Sequence, residues 1–330
     1  MALKVQTNQQ AVRVRVRGVV QGVGFRPFIY REATRLGLAG WVLNGEQGVE
    51  IHLEGEAARI ELFLAALEKR PPSAARIAAI ETERVQPCGC AGFSIRESEK
   101  RDRPTVRVSP DLAICEACLR ELFDPRDRRF RYPYINCTDC GPRYSITLGL
   151  PYDRPQTTMR AWPLCDDCAR EYHDPRDRRF HAQPVACPRC GPRYKLLIGA
   201  ETIEDAPIAA AARLLRRGGI VAVKGIGGYH LACDALNAAA VQALRERKFR
   251  KEKPFALMVR DLDLARRLVE LTDDAVRMLV SVARPIVLCP ARQVIEGVAP
   301  ENRDLGIMLP YAPLHHLLFA AGAPPVLVMT

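Results

Sequence analysis

Eight of the twelve cysteines stand in four Cys-x-x-Cys pairs, and the block that carries them is written twice, fifty residues apart. The first copy reads Cys115-x-x-Cys118, eighteen residues, Cys137-x-x-Cys140; the second reads Cys165-x-x-Cys168, eighteen residues, Cys187-x-x-Cys190. The filler repeats as well, with DPRDRRF at 124–130 and 174–180 and CGPRY at 140–144 and 190–194. A two-residue gap lets both thiolates of a pair reach one ion. Two such pairs about 15–20 residues apart close a tetrahedral site that suits zinc in softness and geometry. The spacing therefore favours two structural zinc ions over a disulfide framework. It does not say which pairs share an ion: pairing within a repeat is simplest, and crossed pairing stays open.

The opening residues, MALKVQTNQQ, lack the apolar run of a secretory leader. The longest apolar stretch, 317–329, is short of a membrane span and is interrupted by Gly322, Pro324 and Pro325. A reducing, cytoplasmic location is expected, with no membrane partner, and this too favours metal over disulfide. The formal charge of +11 invites a nucleic-acid reading. Eight zinc-bound thiolates and two Zn²⁺ ions lower it by four, to about +7. Residues 101–195 hold 18 Lys+Arg and 13 Asp+Glu, so the loaded block is nearly neutral. A zinc module that grips phosphates is more lopsided, and nucleic acid is not expected as a partner.

Along the chain, VRVRVRGVV (12–20) alternates apolar and basic residues as a half-buried strand, with Arg15 and Arg17 on its solvated face. Pro27 is placed at the first position of a helix that stops near Gly37 and Gly40. WVLN and GVEIHLEG read as strands around a turn near Gly45–Gly48. Residues 57–69 carry Ile60, Phe63, Leu64 and Leu67 at helical spacing, and 77–85 and 93–96 close the segment as strands. The order β-α-β-β-α-β predicts a ferredoxin-like split βαβ domain with both helices on one sheet face. KRDRP (100–104) reads as a linker. From Pro207 a new α/β pattern begins: helix, strand 220–224, a glycine-rich loop, helix 237–249, strand PFALMV, then further helices and strands. The expected division is 1–99, 100–199 for the two four-cysteine fingers, and 200–330. Separate cores are expected to fold separately, so losing a zinc ligand is expected to leave the first segment active.

Between the first strand and helix lies Gln21-Gly22-Val23-Gly24-Phe25-Arg26. Backbone N–H groups of a glycine-rich turn, backed by a helix N-terminus, make an anion cradle, and Arg26 adds a charge-assisted fork. RGVVQGVGFRPF, followed some twenty residues on by Gly40-Trp41-Val42-Leu43-Asn44, resembles the acylphosphatases over residues 10–98. The resemblance implies that Arg26 binds the phosphate and that Asn44 positions the attacking water. An acyl phosphate is already activated, so positioning and charge stabilisation suffice.

In the last segment KGIGGYHLACDA (224–235) puts Lys224 at a strand end, and ERKFRKEKPFAL adds Lys248, Arg250 and Lys253. These stretches, with LGIMLPYAPLHHLLF (305–319), resemble the YrdC-like open, twisted α/β fold, whose relatives make carbamoyl-type adenylates from ATP. The resemblance implies nucleotide binding by Lys224, Lys248, Arg250 and Lys253. Of the adjacent His315 and His316 one is expected at the site, taken as His315.

The order acylphosphatase-like, double four-cysteine block, YrdC-like resembles the HypF family, the carbamoyltransferases of nickel–iron hydrogenase maturation. That resemblance implies hydrolysis of carbamoyl phosphate in the first domain and ATP-dependent activation of the carbamate, with Mg as the companion ion. It further implies transfer to the C-terminal cysteine of a HypE-type acceptor, on the route to the cyanide ligands of the nickel–iron site. The chain stops at PPVLVMT, where that family continues with a Ser-x-Asn motif and a final transferase domain; a truncated record is expected, with adenylation impaired. Two alternatives stand beside this reading. A threonylcarbamoyl-adenylate synthase of tRNA modification leaves Arg26, Asn44 and the cysteine block unexplained. A zinc-finger nucleic-acid binder lacks a lopsided basic face. Cys88, Cys90, Cys233 and Cys289 are unassigned; Cys88-Gly89-Cys90 has the wrong gap for a zinc knuckle and is placed in a loop.

Overall fold

A computed structural model describes residues 9–45, 47–72, 74–98 and 107–330. The KRDRP segment at 100–104 lies outside the described residues, as does Glu46. The described chain divides into two compact units, one drawn from 1–110 and 136–186, the other from 111–135 and 187–330.

The first unit is built on β1 (Gln9–Val19), α1 (Phe25–Arg35), β2 (Ala39–Gly45), β3 (Gly48–Glu56), α2 (Ala57–Lys69), β4 (Arg76–Val85) and β5 (Phe93–Ile95). Its sheet has the order β4-β1-β3-β2-β5; only the β2–β5 pair is parallel. The period-two pattern in β1 does what alternation requires. Val12, Val14 and Val16 enter the core with Ile29, Ile51, Ile60, Phe63 and Leu67, and Leu64 packs at its margin. Arg15 and Arg17 face solvent, paired with Glu83 and Glu81. Both helices contribute to that one core, as the element order predicts. One detail differs: α1 begins at Phe25, so Pro27 is its third residue, because Gly24 rather than Arg26 supplies the entry turn.

Each finger opens with a two-turn helix directly after its first cysteine, α3 (Glu116–Phe123) and α4 (Asp166–His173). Three short 3₁₀ turns lie at 144–146, 154–156 and 158–161.

The second unit continues with the hairpin β6 (Leu196–Ile198) and β7 (Glu201–Ile203), then α5 (Pro207–Arg216), β8 (Val221–Lys224), β9 (Tyr229–Asp234), α6 (Ala238–Lys248) and β10 (Ala256–Val259). It closes with α7 (Leu262–Leu268), α8 (Asp273–Val280), β11 (Val287–Pro290), β12 (Asp304–Met308), α9 (Pro313–Ala320) and β13 (Val326–Met329). Six strands form a mixed open sheet of order β11-β12-β10-β13-β9-β8, in which only β10 and β12 run parallel. One apolar core gathers α6, α7 and α8 residues such as Val241, Leu268 and Leu279; another gathers Leu215 of α5 and Leu314 and Leu318 of α9.

Candidate active site and metal centres

The turn after β1 holds Gly22 at φ 73° and Gly24 at φ 72°, left-handed positions that glycine adopts without strain. Gly24 caps α1, no side chain caps the helix, and its first turn carries no acidic residue. The first-turn N–H groups therefore face the turn with the positive end of the helix behind them. The turn thus has the backbone form that an anion cradle needs.

Arg26 is only 7% exposed and does not face open solvent. Its Nη2 donates to Asp153 Oδ1 at 2.6 Å and to the Tyr152 carbonyl at 3.4 Å, and Nη1 donates to Ser98 Oγ at 3.5 Å. Asn44 is fully buried; its Nδ2 donates to the same Tyr152 carbonyl at 3.3 Å, while its Oδ1 has no hydrogen-bond partner. Gln21 spends its side chain on scaffolding. Its Nε2 donates to the Gly45 and Gly48 carbonyls at 2.7 and 2.8 Å, and its Oε1 accepts the Tyr152 N–H at 3.0 Å. Arg26 and Asn44, eighteen positions apart, thus converge on one carbonyl.

Several residues that complete this site lie far along the chain. Arg143, 2% exposed, donates through Nε to the Gly22 carbonyl and through Nη2 to the carbonyls of Thr138 (2.8 Å) and Cys137 (3.1 Å). Its counterpart in the second repeat, Arg193, instead bonds Pro188 O. A cavity of about 20 Å³, room for one water, is bordered by the cradle, Asn44, Tyr152, His181 and Gln183. Burial, then the nearby Arg26 and His173 charges, push the His181 imidazole down to about 3, so it is neutral at physiological pH. The only sequence signal for Arg143 was its place in a repeated motif; Tyr152, Asp153 and His181 carried none.

The cysteines gather into two groups, Cys115, Cys118, Cys137, Cys140 and Cys165, Cys168, Cys187, Cys190, with the sulfurs of each group within 4.8 Å of one another. Pairing within each repeat is therefore the one realised. A tetrahedral ion with Zn–S of about 2.3 Å requires S···S separations of about 3.8 Å. The Cys137–Cys140 and Cys187–Cys190 pairs stand at 3.9 and 3.8 Å. Cys115 caps α3, accepting the Cys118 N–H at 3.5 Å, which places thiolate charge at a positive helix end. Both groups fit a structural zinc ion, and four protein ligands leave no open position for chemistry.

In the second unit Lys224 ends β8 opposite Tyr229, with its ammonium 5.0 Å from that ring centre. Strand directions put the end of β8 and the segment preceding β10 at the same end of the sheet. Three strand spacings separate them, about 14 Å. Lys248 ends α6, and Arg250 and Lys253 follow in that segment. Arg250 donates to the Lys253 and Pro254 carbonyls at 3.1 and 2.7 Å. Arg245, buried and unremarked in the sequence, braces the same loop by donating to the carbonyls of Arg250 and Lys251 at 2.8 and 3.2 Å. His315 packs near His230, the residue after Tyr229, the strand partner of Lys224. It is 1% exposed, accepts the Ala312 N–H on Nδ1, so capping α9, and packs on Tyr311, while its Nε2 is buried with no hydrogen-bond partner.

Fold and sites together define a protein in which an acylphosphatase-type domain, a pair of four-cysteine fingers and a YrdC-type sheet follow one another. Family models match in that order: acylphosphatase over 12–95, the HypF finger over 114–147 and 164–197, and the telomere-recombination (Sua5/YciO/YrdC) family over 213–330. The carbamoyltransferase HypF2 of Cupriavidus necator is 52% identical over 95% of this chain and 40% of its own length. An acylphosphatase of Thermotoga petrophila is 41% identical over 26% of this chain and 97% of its own length. A crystal structure of full-length HypF in a phosphate- and nucleotide-bound form superposes with a TM-score of 0.93 at 45% identity, covering 99% of this chain and 43% of that one. The chain belongs to the HypF family. It spans about two fifths of the length of the HypF relatives it matches. Among the described residues no helix is long and apolar enough to cross a membrane.

Proposed function

We propose that this chain carries the carbamoyl-phosphate-hydrolysing and ATP-dependent activating parts of a HypF-type carbamoyltransferase. The observation that carries the reading is the convergence of Arg26 and the unpartnered Asn44 Oδ1 on one buried cavity beside the glycine cradle. In this reading the backbone N–H groups of 21–26 and the Arg26 guanidinium hold the phosphate of carbamoyl phosphate. Asn44 Oδ1 accepts a hydrogen from the attacking water and so aims its lone pair at the phosphorus. His181, neutral, adds no competing charge. The phosphate replaces the Asp153 carboxylate on Arg26, and the cradle stabilises the charge that grows in the transition state. Turnover of carbamoyl phosphate by the whole chain and its Asn44→Ala variant tests this directly.

The second site in this proposal binds ATP, with Mg, at the sheet end bearing Lys224, Lys248, Arg250 and Lys253. Two anions brought together need several cations to offset their repulsion. The carbamoyl group then passes to a HypE-type acceptor in the cytoplasm. The division 1–99, 100–199 and 200–330 belongs to the same proposal. ATP binding that weakens with salt and with Lys248→Ala supports the second site, and unchanged binding in Lys224→Ala, Lys248→Ala and Lys253→Ala removes it.

A further inference from the structure

The sheet face turned away from α1 and α2 carries a second gathering of metal-ligating side chains. On β3, Val49, Ile51 and Leu53 enter the helix-packed core, so His52 and Glu54 lie on the opposite face. His52 is 1% exposed and stacks on Trp41 with ring centres 5.7 Å apart. Its Nε2 stands 2.7 Å from Glu54 Oε1, and its Nδ1 is buried with no hydrogen-bond partner. The loop after β4 wraps the same carboxylate: the N–H groups of Cys88, Gly89 and Cys90 donate to it at 2.5, 3.1 and 3.1 Å. This wrap brings Cys90 into the group, and the ligand atoms of His52, Glu54 and Cys90 lie within 4.8 Å of one another.

We propose that His52, Glu54 and Cys90 form a third, exchangeable zinc site, with Cys88 supplying a fourth ligand. The donor set is one imidazole, one carboxylate and one or two thiols, a combination that suits zinc and its thiophilic neighbours rather than magnesium or calcium. Anchoring the loop explains Glu54 and the three N–H groups. It does not call for an imidazole against the carboxylate, nor for thiols on both sides of Gly89. On binding, Nε2 gives its lone pair to the ion and its proton passes to Nδ1, where no donor stands in the way. The Cys90 thiol loses its proton to solvent. The neighbouring Arg13, opposite His52 across β1–β3, is paired with Glu50 at 3.3 Å, which offsets its charge. Mixed ligands on a half-exposed loop make this site weaker than the two four-thiolate groups, so its ion exchanges first. It shares no residue with the anion cradle.

The test uses the whole chain, purified under reducing conditions and dialysed against buffered micromolar zinc. The expected metal content is three ions per chain in wild type and two in Cys88→Ser/Cys90→Ser, the third ion being the one a weak chelator removes first. Cobalt added to the two-zinc protein should give a thiolate-to-cobalt charge-transfer band, weakened by His52→Gln and absent in the double variant. A wild type that stays at two ions and shows no such band overturns the proposal. So does a third ion that survives in the double variant.

Discussion

Asp153 Oδ1 lies 2.6 Å from Arg26 Nη2, so the charge that the cradle offers an anion is already held by a carboxylate of the same unit. Tyr152 completes the plug, its carbonyl accepting from both Arg26 and Asn44. An incoming phosphate must displace this pair. Asp153→Asn is therefore expected to tighten inorganic phosphate binding roughly tenfold or more, since a hydrogen bond to a charged group contributes about 1.5–3 kcal/mol. Calorimetric titration with phosphate reads the change; weaker binding in the variant means that Asp153 supports the anion instead of competing with it.

Arg26 and Asn44 should separate kinetically. Arg26→Ala removes the charge that holds the phosphate and is expected to raise KM for carbamoyl phosphate. Asn44→Ala leaves that charge and is expected to lower kcat with little change in KM, by about 2–4 kcal/mol of barrier. Steady-state kinetics on both variants distinguishes the two roles.

The zinc fingers should matter to the cradle. From sequence, separate cores predict that a finger can be lost without harm to the first site. The structure gives a reason to revise this, because Arg143 hangs on the carbonyls of Cys137 and Thr138 and reaches the Gly22 carbonyl. Cys137→Ser is expected to release one zinc and to depress acyl phosphate turnover as well. Metal content and activity measured on one preparation check both parts.

Much of the fold was readable because it rests on local rules. The alternation of β1 and the helical spacing of Ile60, Phe63 and Leu67 each placed an element, the helix at its bounds and the strand within three residues of them. The cysteine groups were readable because metal geometry ties sequence spacing to distance. Asp153, Tyr152 and His181 were not, since what brings them to Arg26 is tertiary packing more than a hundred residues along the chain. The burial of His315 is likewise invisible in the sequence, because it is set by packing against Tyr311 and His230.

That burial has a consequence for pH. Desolvation, then the neighbouring His230 and His316, push His315 down to about 3 in the folded chain, against about 6.5 when unfolded. Between those values the unfolded chain binds the extra proton, so stability is full above about pH 6.5 and falls as pH drops. At pH 5 the loss from this group is on the order of 2 kcal/mol. Urea unfolding at pH 7.5 and 5.0 should show a smaller acid loss in His315→Gln, which keeps an acceptor for the Ala312 N–H and cannot titrate.

The most direct measurement is phosphate release from carbamoyl phosphate by the zinc-loaded 330-residue chain, without added magnesium or ATP, beside Asn44→Ala. Turnover by the wild type and its loss in the variant, with phosphate binding retained, is the expected result. No turnover by the wild type, or equal rates in the two proteins, would contradict the assignment of this cradle as a hydrolytic site.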